Sequence, residues 1–227
     1  MAKIFLIGAG PGSREYVTPV ARETVGRASL VIGAERALEL FREDIKGEAY
    51  ILKAENFDEI VQRGLRSAQE GRSVALVSTG DPTFFGLLKP LLEKSPNDLE
   101  LEIVPGISSI QVSTSRLQIC LEEIGLFLSF HGRPDAEKAK LTEAVRNGKL
   151  AVILPDPRSF QPDQIARYLI DSGIDPRTPA AVCESLTYAN ERVTEGDLLM
   201  LSSEKFGPMC IMVVGAWTRR RLRSIVQ

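Results

Sequence analysis

Short, unbroken apolar runs recur along the chain, and longer amphipathic stretches separate them. The runs are Ile4–Gly8, Leu30–Gly33, Tyr50–Leu52, Val74–Ser78, Leu101–Val104, Leu126–Phe130, Ala151–Leu154, Ala180–Cys183 and Ile211–Val214. Several are continuous rather than alternating, which is the pattern of strands covered on both faces. Between them, helical spacing appears near Thr18–Arg27, Glu35–Phe41, Phe57–Glu70, Phe84–Glu93, Ser108–Leu117, Ala136–Arg146 and Pro162–Ser172. In the third of these, Ile60, Val61, Gly64, Leu65 and Ala68 share one face, and Gly71 supplies a stop. Alternation of strand and helix predicts an α/β fold with mixed, mostly parallel sheets. The strands could fill one sheet or two. Leu117–Gly125 is the best linker candidate, so two α/β subdomains are expected, residues 1–120 and 121–227.

Composition narrows the classes of function. A chain of 227 residues, 44% hydrophobic and 26% charged, can bury a core without disulfides or metals. Its 28 basic and 30 acidic side chains leave a net charge of -2, unlike a protein that grips nucleic acid through phosphates. The basic tail Thr218–Arg223 reads as a solvated terminus, with a nucleic-acid contact as the alternative. No apolar run approaches the roughly 20 residues that cross a bilayer. The Met1–Ile7 segment is too short for a signal peptide and reads as a buried strand, so a cytoplasmic protein is expected. Cys120, Cys183 and Cys210 are too few and too scattered for a disulfide framework. With His131 as the single histidine, no conventional Cys/His zinc site is expected.

Four strand-to-helix loops hold the residues with chemical potential. Gly8-Ala9-Gly10-Pro11-Gly12-Ser13 is close to a dinucleotide fingerprint, but Ser13 stands where glycine or alanine is needed. Such a loop is either a tight turn or a backbone surface open to a ligand. In Ser78-Thr79-Gly80-Asp81-Pro82-Thr83-Phe84, Asp81 can cap a following helix, with Pro82 at its first position, or accept hydrogen bonds from a ligand. Val104-Pro105-Gly106-Ile107-Ser108-Ser109 offers serines as caps and a helix start that can hold a polar group. No nucleophile elbow surrounds them. Ser129-Phe130-His131-Gly132-Arg133 places a histidine beside an arginine able to grip a carboxylate with two hydrogen bonds.

In order along the chain, Gly8–Gly12, Gly80–Pro82, Pro105–Ser109 and His131–Arg133 resemble the motifs of the tetrapyrrole methylase family. Ala151–Asp156, Cys183–Leu186 and Glu191–Val193 fit the same pattern, so the resemblance covers nearly the whole chain. Phe130–Arg133 and the stretch from Glu184 to Val193 look most like members that methylate carbon 5 of precorrin-7, or its cobalt form, on the way to cobalamin. Many relatives are fused to a decarboxylating carbon-15 methyltransferase. This chain is too short for that, and a stand-alone enzyme is expected. The resemblance implies S-adenosylmethionine held in a cleft between two subdomains of a homodimer. Carried over position by position, donor contacts fall at Pro11, Gly80, Asp81, Phe84, Ser108, Ser109, Leu154, Ala181, Cys183 and Met209. Ser13, Arg14 and Arg133 then face the tetrapyrrole, and His131 is the candidate acceptor of a proton released after methylation. No protein metal is implied, because any cobalt arrives inside the substrate. Neither nucleic acid nor membrane is an expected partner.

The implied chemistry suits these residues. Methyl transfer from a sulfonium to an electron-rich carbon is an in-line displacement, and holding both reactants in geometry supplies roughly 7–11 kcal/mol. Exclusion of water protects reactive intermediates. A macrocycle rimmed with carboxylates suits arginine, and a histidine titrates in the useful range. Other readings compete, a hydrolase last among them because no serine–histidine–acid set has a recognisable local motif. One is a tetrapyrrole methylase for uroporphyrinogen or another precorrin. Another is a diphthamide-pathway or ribosomal-RNA methyltransferase of the same fold, the RNA case disfavoured by charge. A third is a nicotinamide-dependent oxidoreductase, with Glu35 near the ribose-binding position. A fourth is a non-enzymatic binding module.

Overall fold

The computed structural model describes residues 3–94, 100–131 and 134–217. Contacts divide the chain into two compact units, Met1–Ser109 and Ile110–Gln227. Residues 110–120, placed with the first subdomain on sequence grounds, group with the second unit. Among the described residues no helix is long and apolar enough to cross a membrane.

The first unit is built on five strands: β1 (Ile4–Gly8), β2 (Leu30–Gly33), β3 (Glu48–Ile51), β4 (Val74–Ser78) and β5 (Leu101–Val104). All pair in parallel, in the order β3-β2-β4-β1-β5. Successive side chains of a strand point to opposite faces, and here both faces are covered. Ile7, Val31, Ala75 and Val77 pack with Ala21 and Val25 of α1 (Pro19–Arg27) and with Ala37 and Leu38 of α2 (Glu35–Glu39). Ile4, Leu6, Leu30, Ile32, Val74 and Leu76 pack with Ile60, Val61, Leu65 and Ala68 of α3 (Phe57–Gln69). This two-sided burial explains the unbroken apolar runs. Thr18 caps α1, accepting from Ala21 N at 3.2 Å, with Pro19 at the first turn. Gly71 ends α3 at φ 91°, and Arg72 N reaches back to Ser67 O at 3.0 Å.

One expected helix is shorter than the pattern suggested. Residues 82–87 form turns, and α4 covers only Leu88–Leu92. Phe85 sits at φ 54°, and a Cβ on Gly86 would lie 2.6 Å from the Asp81 carbonyl oxygen. The chain is therefore coiled tightly against Asp81, and Asp81 does not cap a helix as one sequence reading had it.

The second unit begins with α5 (Ser109–Leu117), whose first residue closes the first unit. Its sheet joins β6 (Ile124–Ser129), β7 (Leu150–Leu154), β8 (Pro179–Glu184), β9 (Arg192–Asp197) and β10 (Cys210–Val214), in the order β6-β7-β10-β8-β9. Only β6 and β7 pair in parallel; β10 runs against both β7 and β8, and β9 runs against β8. This sheet is therefore mixed. Leu128, Ala151, Ile153, Ala180, Val182, Met212 and Val214 meet α6 (Pro134–Arg146), α7 (Pro162–Asp171) and α8 (Leu198–Ser203) through Leu141, Ile165, Leu169, Leu198 and Leu201. Two elements have no counterpart in the sequence reading. β9 is a polar, largely exposed edge strand, and α8 is a six-residue helix capped by Asp197, which accepts from Met200 N at 2.8 Å.

Candidate active site

In the first unit the loops leaving β1, β4 and β5 converge as bare backbone. A Cβ on Gly8 would lie 2.4 Å from Gly106 N and 2.7 Å from Gly80 O. A Cβ on Gly106 would lie 2.4 Å from Gly80 O. Gly10 and Gly80 form an isolated bridge, with Gly80 N donating to Gly10 O at 2.9 Å and Gly10 N to Gly80 O at 3.2 Å. Gly80 has φ 66°, which only glycine adopts without strain. A Cβ there would meet nothing closer than Ser108 Cα at 3.8 Å, so glycine leaves a small open cradle beside a buried serine.

Asp81 fastens this cluster. Its Oδ2 accepts from Gly106 N at 3.0 Å, and its Oδ1 accepts from Thr83 N at 2.8 Å and from the Thr83 hydroxyl at 2.5 Å. Both carboxylate oxygens thus serve the protein while the side chain stays half-buried at the strand ends. Pro11 and Phe84 are also half-buried, and Phe84 lies against Phe85 at 5.0 Å between ring centroids. Ser108 and Ser109 precede and open α5. Ser13 stands at the N-cap position of the short 3-10 turn Arg14–Tyr16, and its side chain holds the Glu15 carboxyl below the usual range. Arg14 pairs with Glu43 at 2.7 Å and lies 3.7 Å from Asp44, which also takes three hydrogen bonds from Arg22, two from Nε and one from Nη2. Its guanidinium is thus turned to carboxylates of its own unit. The parallel sheet therefore brings Pro11, Gly80, Asp81 and Ser108 to one edge, the end where ligands bind in open α/β sheets.

In the second unit the carboxyl ends of β6, β7 and β8 and the start of β10 share one edge. Leu154 O accepts from Phe130 N at 2.9 Å, and Met209 O accepts from Ser185 N at 2.9 Å. Cys183 is fully buried, and Ala181 lies further down β8, pointing away from the α6–α8 core. Burial pushes both the Cys183 and Cys210 thiols up to about 12, so both are neutral at pH 7. His131 is exposed just past β6, with Nδ1 3.1 Å from Ser129 Oγ. Arg133 lies outside the described residues, as does the tail from Thr218. Among the described residues no group of three or more His, Cys, Asp or Glu side chains could hold a metal ion.

Beyond these, the rim of the second unit carries ion pairs that the motifs did not disclose. Glu184 is buried and accepts from Arg192 Nε at 2.5 Å and from Gly207 N at 2.8 Å. Glu191 accepts from Arg116 Nε at 2.6 Å and from Thr187 N at 2.6 Å. The Glu191–Arg192 run was visible in the sequence, but nothing local ties Glu191 to a residue of α5.

Two α/β sheets, one wholly parallel and one mixed, with strand ends of bare glycine backbone, define a ligand-binding α/β enzyme, and the family match specifies which. Residues 3–201 match the tetrapyrrole (corrin/porphyrin) methylases, and the chain belongs to that family of methyltransferases. Among curated proteins it is 35% identical to a probable cobalt-precorrin-7 C(5)-methyltransferase of Methanocaldococcus jannaschii, over 92% of this chain and 96% of that one. It is 28% identical to the cobalt-precorrin-7 C(5)-methyltransferase of Salmonella typhimurium, over 83% and 87%. Among solved structures, the precorrin-6Y methylase of Archaeoglobus fulgidus aligns with a TM-score of 0.72 and 29% identity, covering 94% of this chain and 97% of that one.

Proposed function

We propose that the chain transfers a methyl group from S-adenosylmethionine to carbon 5 of cobalt-precorrin-7, or of its metal-free form, in cobalamin biosynthesis. The observation that carries this reading is the 35% identity to the Methanocaldococcus protein across 96% of that protein's length. The donor, when bound, supplies an electrophilic methyl on a sulfonium. The chain's own part is to position and to shield. The bare edge at Gly80 and Ser108 fits a ligand that approaches backbone closely. Pro11, Asp81, Phe84 and Ser109 complete the donor contacts assigned to that rim; Leu154, Ala181, Cys183 and Met209 are those assigned to the second.

Ser13, Arg14 and Arg133 are assigned to the macrocycle. Its carboxylates would compete with Glu43 for Arg14, exchanging one ion pair for another. His131 is assigned the proton released after methylation, accepted at Nε2 while Nδ1 faces Ser129. The neutral Cys183 and Cys210 thiols suit walls rather than nucleophiles. We assign the enzyme to the cytoplasm, as a homodimer.

The test is incubation of the purified chain with cobalt-precorrin-7 and donor labelled with carbon-13 in its methyl group. Gain of one methyl by mass, with the label at carbon 5 by NMR, is the expected result. Label at another ring carbon would reassign the substrate position. Donor binding without transfer to any precorrin would overturn the activity.

A further inference from the structure

We infer that Glu191 is a positioning residue for donor binding: it clamps the loop 185–191 in the conformation that fixes the rim at Cys183 and Met209. The inference rests on the methyltransferase reading above.

The loop is held in unusual backbone geometry. Ser185 lies at φ 47° and Thr187 at φ 70°, and neither is glycine. Such residues persist in the left-handed region only where neighbouring groups over-determine them, and they gather at functional sites. The neighbouring groups here are specific. Glu191 Oε2 accepts from Thr187 N at 2.6 Å, so the strained residue is held by this carboxylate. Inside the loop, Tyr188 N donates to Ser185 O and Glu191 N to Tyr188 O, both at 3.0 Å. From outside, Arg116 of α5 donates to Glu191 Oε1 at 2.6 Å.

The loop is continuous with the rim. Ser185 N donates to Met209 O at 2.9 Å, and Ser185 follows Cys183 by two positions. Glu184, between them, holds Gly207 N and Arg192 and so anchors both flanks. The clamp is also close in charge. The Glu191 carboxylate helps to raise the Cys183 thiol, and Arg116 opposes it. Glu191 holds Thr187 N, and Thr187 lies two residues past Ser185, whose N bonds Met209 O. A carboxylate used only to close a hairpin would stabilise the fold without altering donor affinity.

The experiment is calorimetric titration of the full chain with S-adenosylhomocysteine, alongside thermal unfolding, for wild type, Glu191→Ala, Glu191→Gln, Arg116→Ala and the double variant Arg116→Ala with Glu191→Ala. Glu191→Ala is expected to bind about tenfold more weakly, the scale of a lost charge-assisted hydrogen bond. Glu191→Gln keeps an oxygen for Thr187 N and is expected within about threefold of wild type. Arg116→Ala is expected to fall between them and to add nothing in the Glu191→Ala background. Wild-type affinity in Glu191→Ala, or equal losses in the Gln and Ala variants, would overturn the inference. Should Glu191→Ala not fold, wild-type affinity in Arg116→Ala would overturn it instead. Failure of the wild type itself to bind would remove the methyltransferase reading, and this inference with it.

Discussion

Asp81 shows how a side chain open to two readings can take a third role. Its sequence context suggested either a helix cap or an acceptor for a ligand. The structure shows a bridge from the loop after β4 to the loop after β5, through Gly106 N. Asp81 directly follows Gly80, and its carboxylate bonds Gly106 N and Thr83. Asp81→Ala is therefore expected to weaken S-adenosylhomocysteine binding at least tenfold, on the order of 1.4 kcal/mol, and to lower Tm as well, because Gly106 N loses its partner. Calorimetry and thermal unfolding of the same preparation check both effects. A lowered Tm with unchanged affinity would leave Asp81 as a bridge alone. The strand-end glycines and Asp81 were legible because each sits beside a recognisable apolar run. The Arg116–Glu191 pair was not, because its members stand 75 positions apart and only the fold brings them together.

Among the elements, those with apolar patterns were legible and those without were not. β1, β2 and β4 begin and end where their runs do, because the centre of the parallel sheet is covered on both faces; β5, at the edge, also matches its run although Glu102 and Ile103 are exposed. β9 reads Arg192-Val193-Thr194-Glu195-Gly196-Asp197, and an exposed edge strand needs no apolar pattern. α4 was overestimated because Phe84–Glu93 carries helical spacing, while Phe85 and Gly86 coil the chain against Asp81. Glycines with different local duties should respond differently to one added methyl. At Gly71 a Cβ would meet nothing within 4 Å, so Gly71→Ala is expected to lose only about 1 kcal/mol for its positive φ. At Gly106 the same Cβ would lie 2.4 Å from a carbonyl oxygen. Gly106→Ala is expected to lose about 3 kcal/mol or more, by overpacking against backbone that has no room to move. Urea unfolding of both variants compares them, and equal losses would contradict the crowding at the strand ends.

For the molecule as a whole, two compact units of similar size carry two rims, each at the carboxyl ends of parallel strands. If the enzyme is a homodimer, light scattering will give twice the chain mass of 24.9 kDa at micromolar concentration. A mass of one chain would refute that assembly. The loop order that marked the family was legible in the sequence; the antiparallel insertion of β10 between β7 and β8 was not, because strand order depends on pairings between distant segments. The meeting of Gly8, Gly80 and Gly106 has a consequence for how such an enzyme can be altered. A surface made of main chain presents no side chains to exchange. Point substitution can damage that patch but has little means of retailoring it. A change of substrate is then expected to be written in the side chains of the surrounding loops, while the glycine backbone stays as it is.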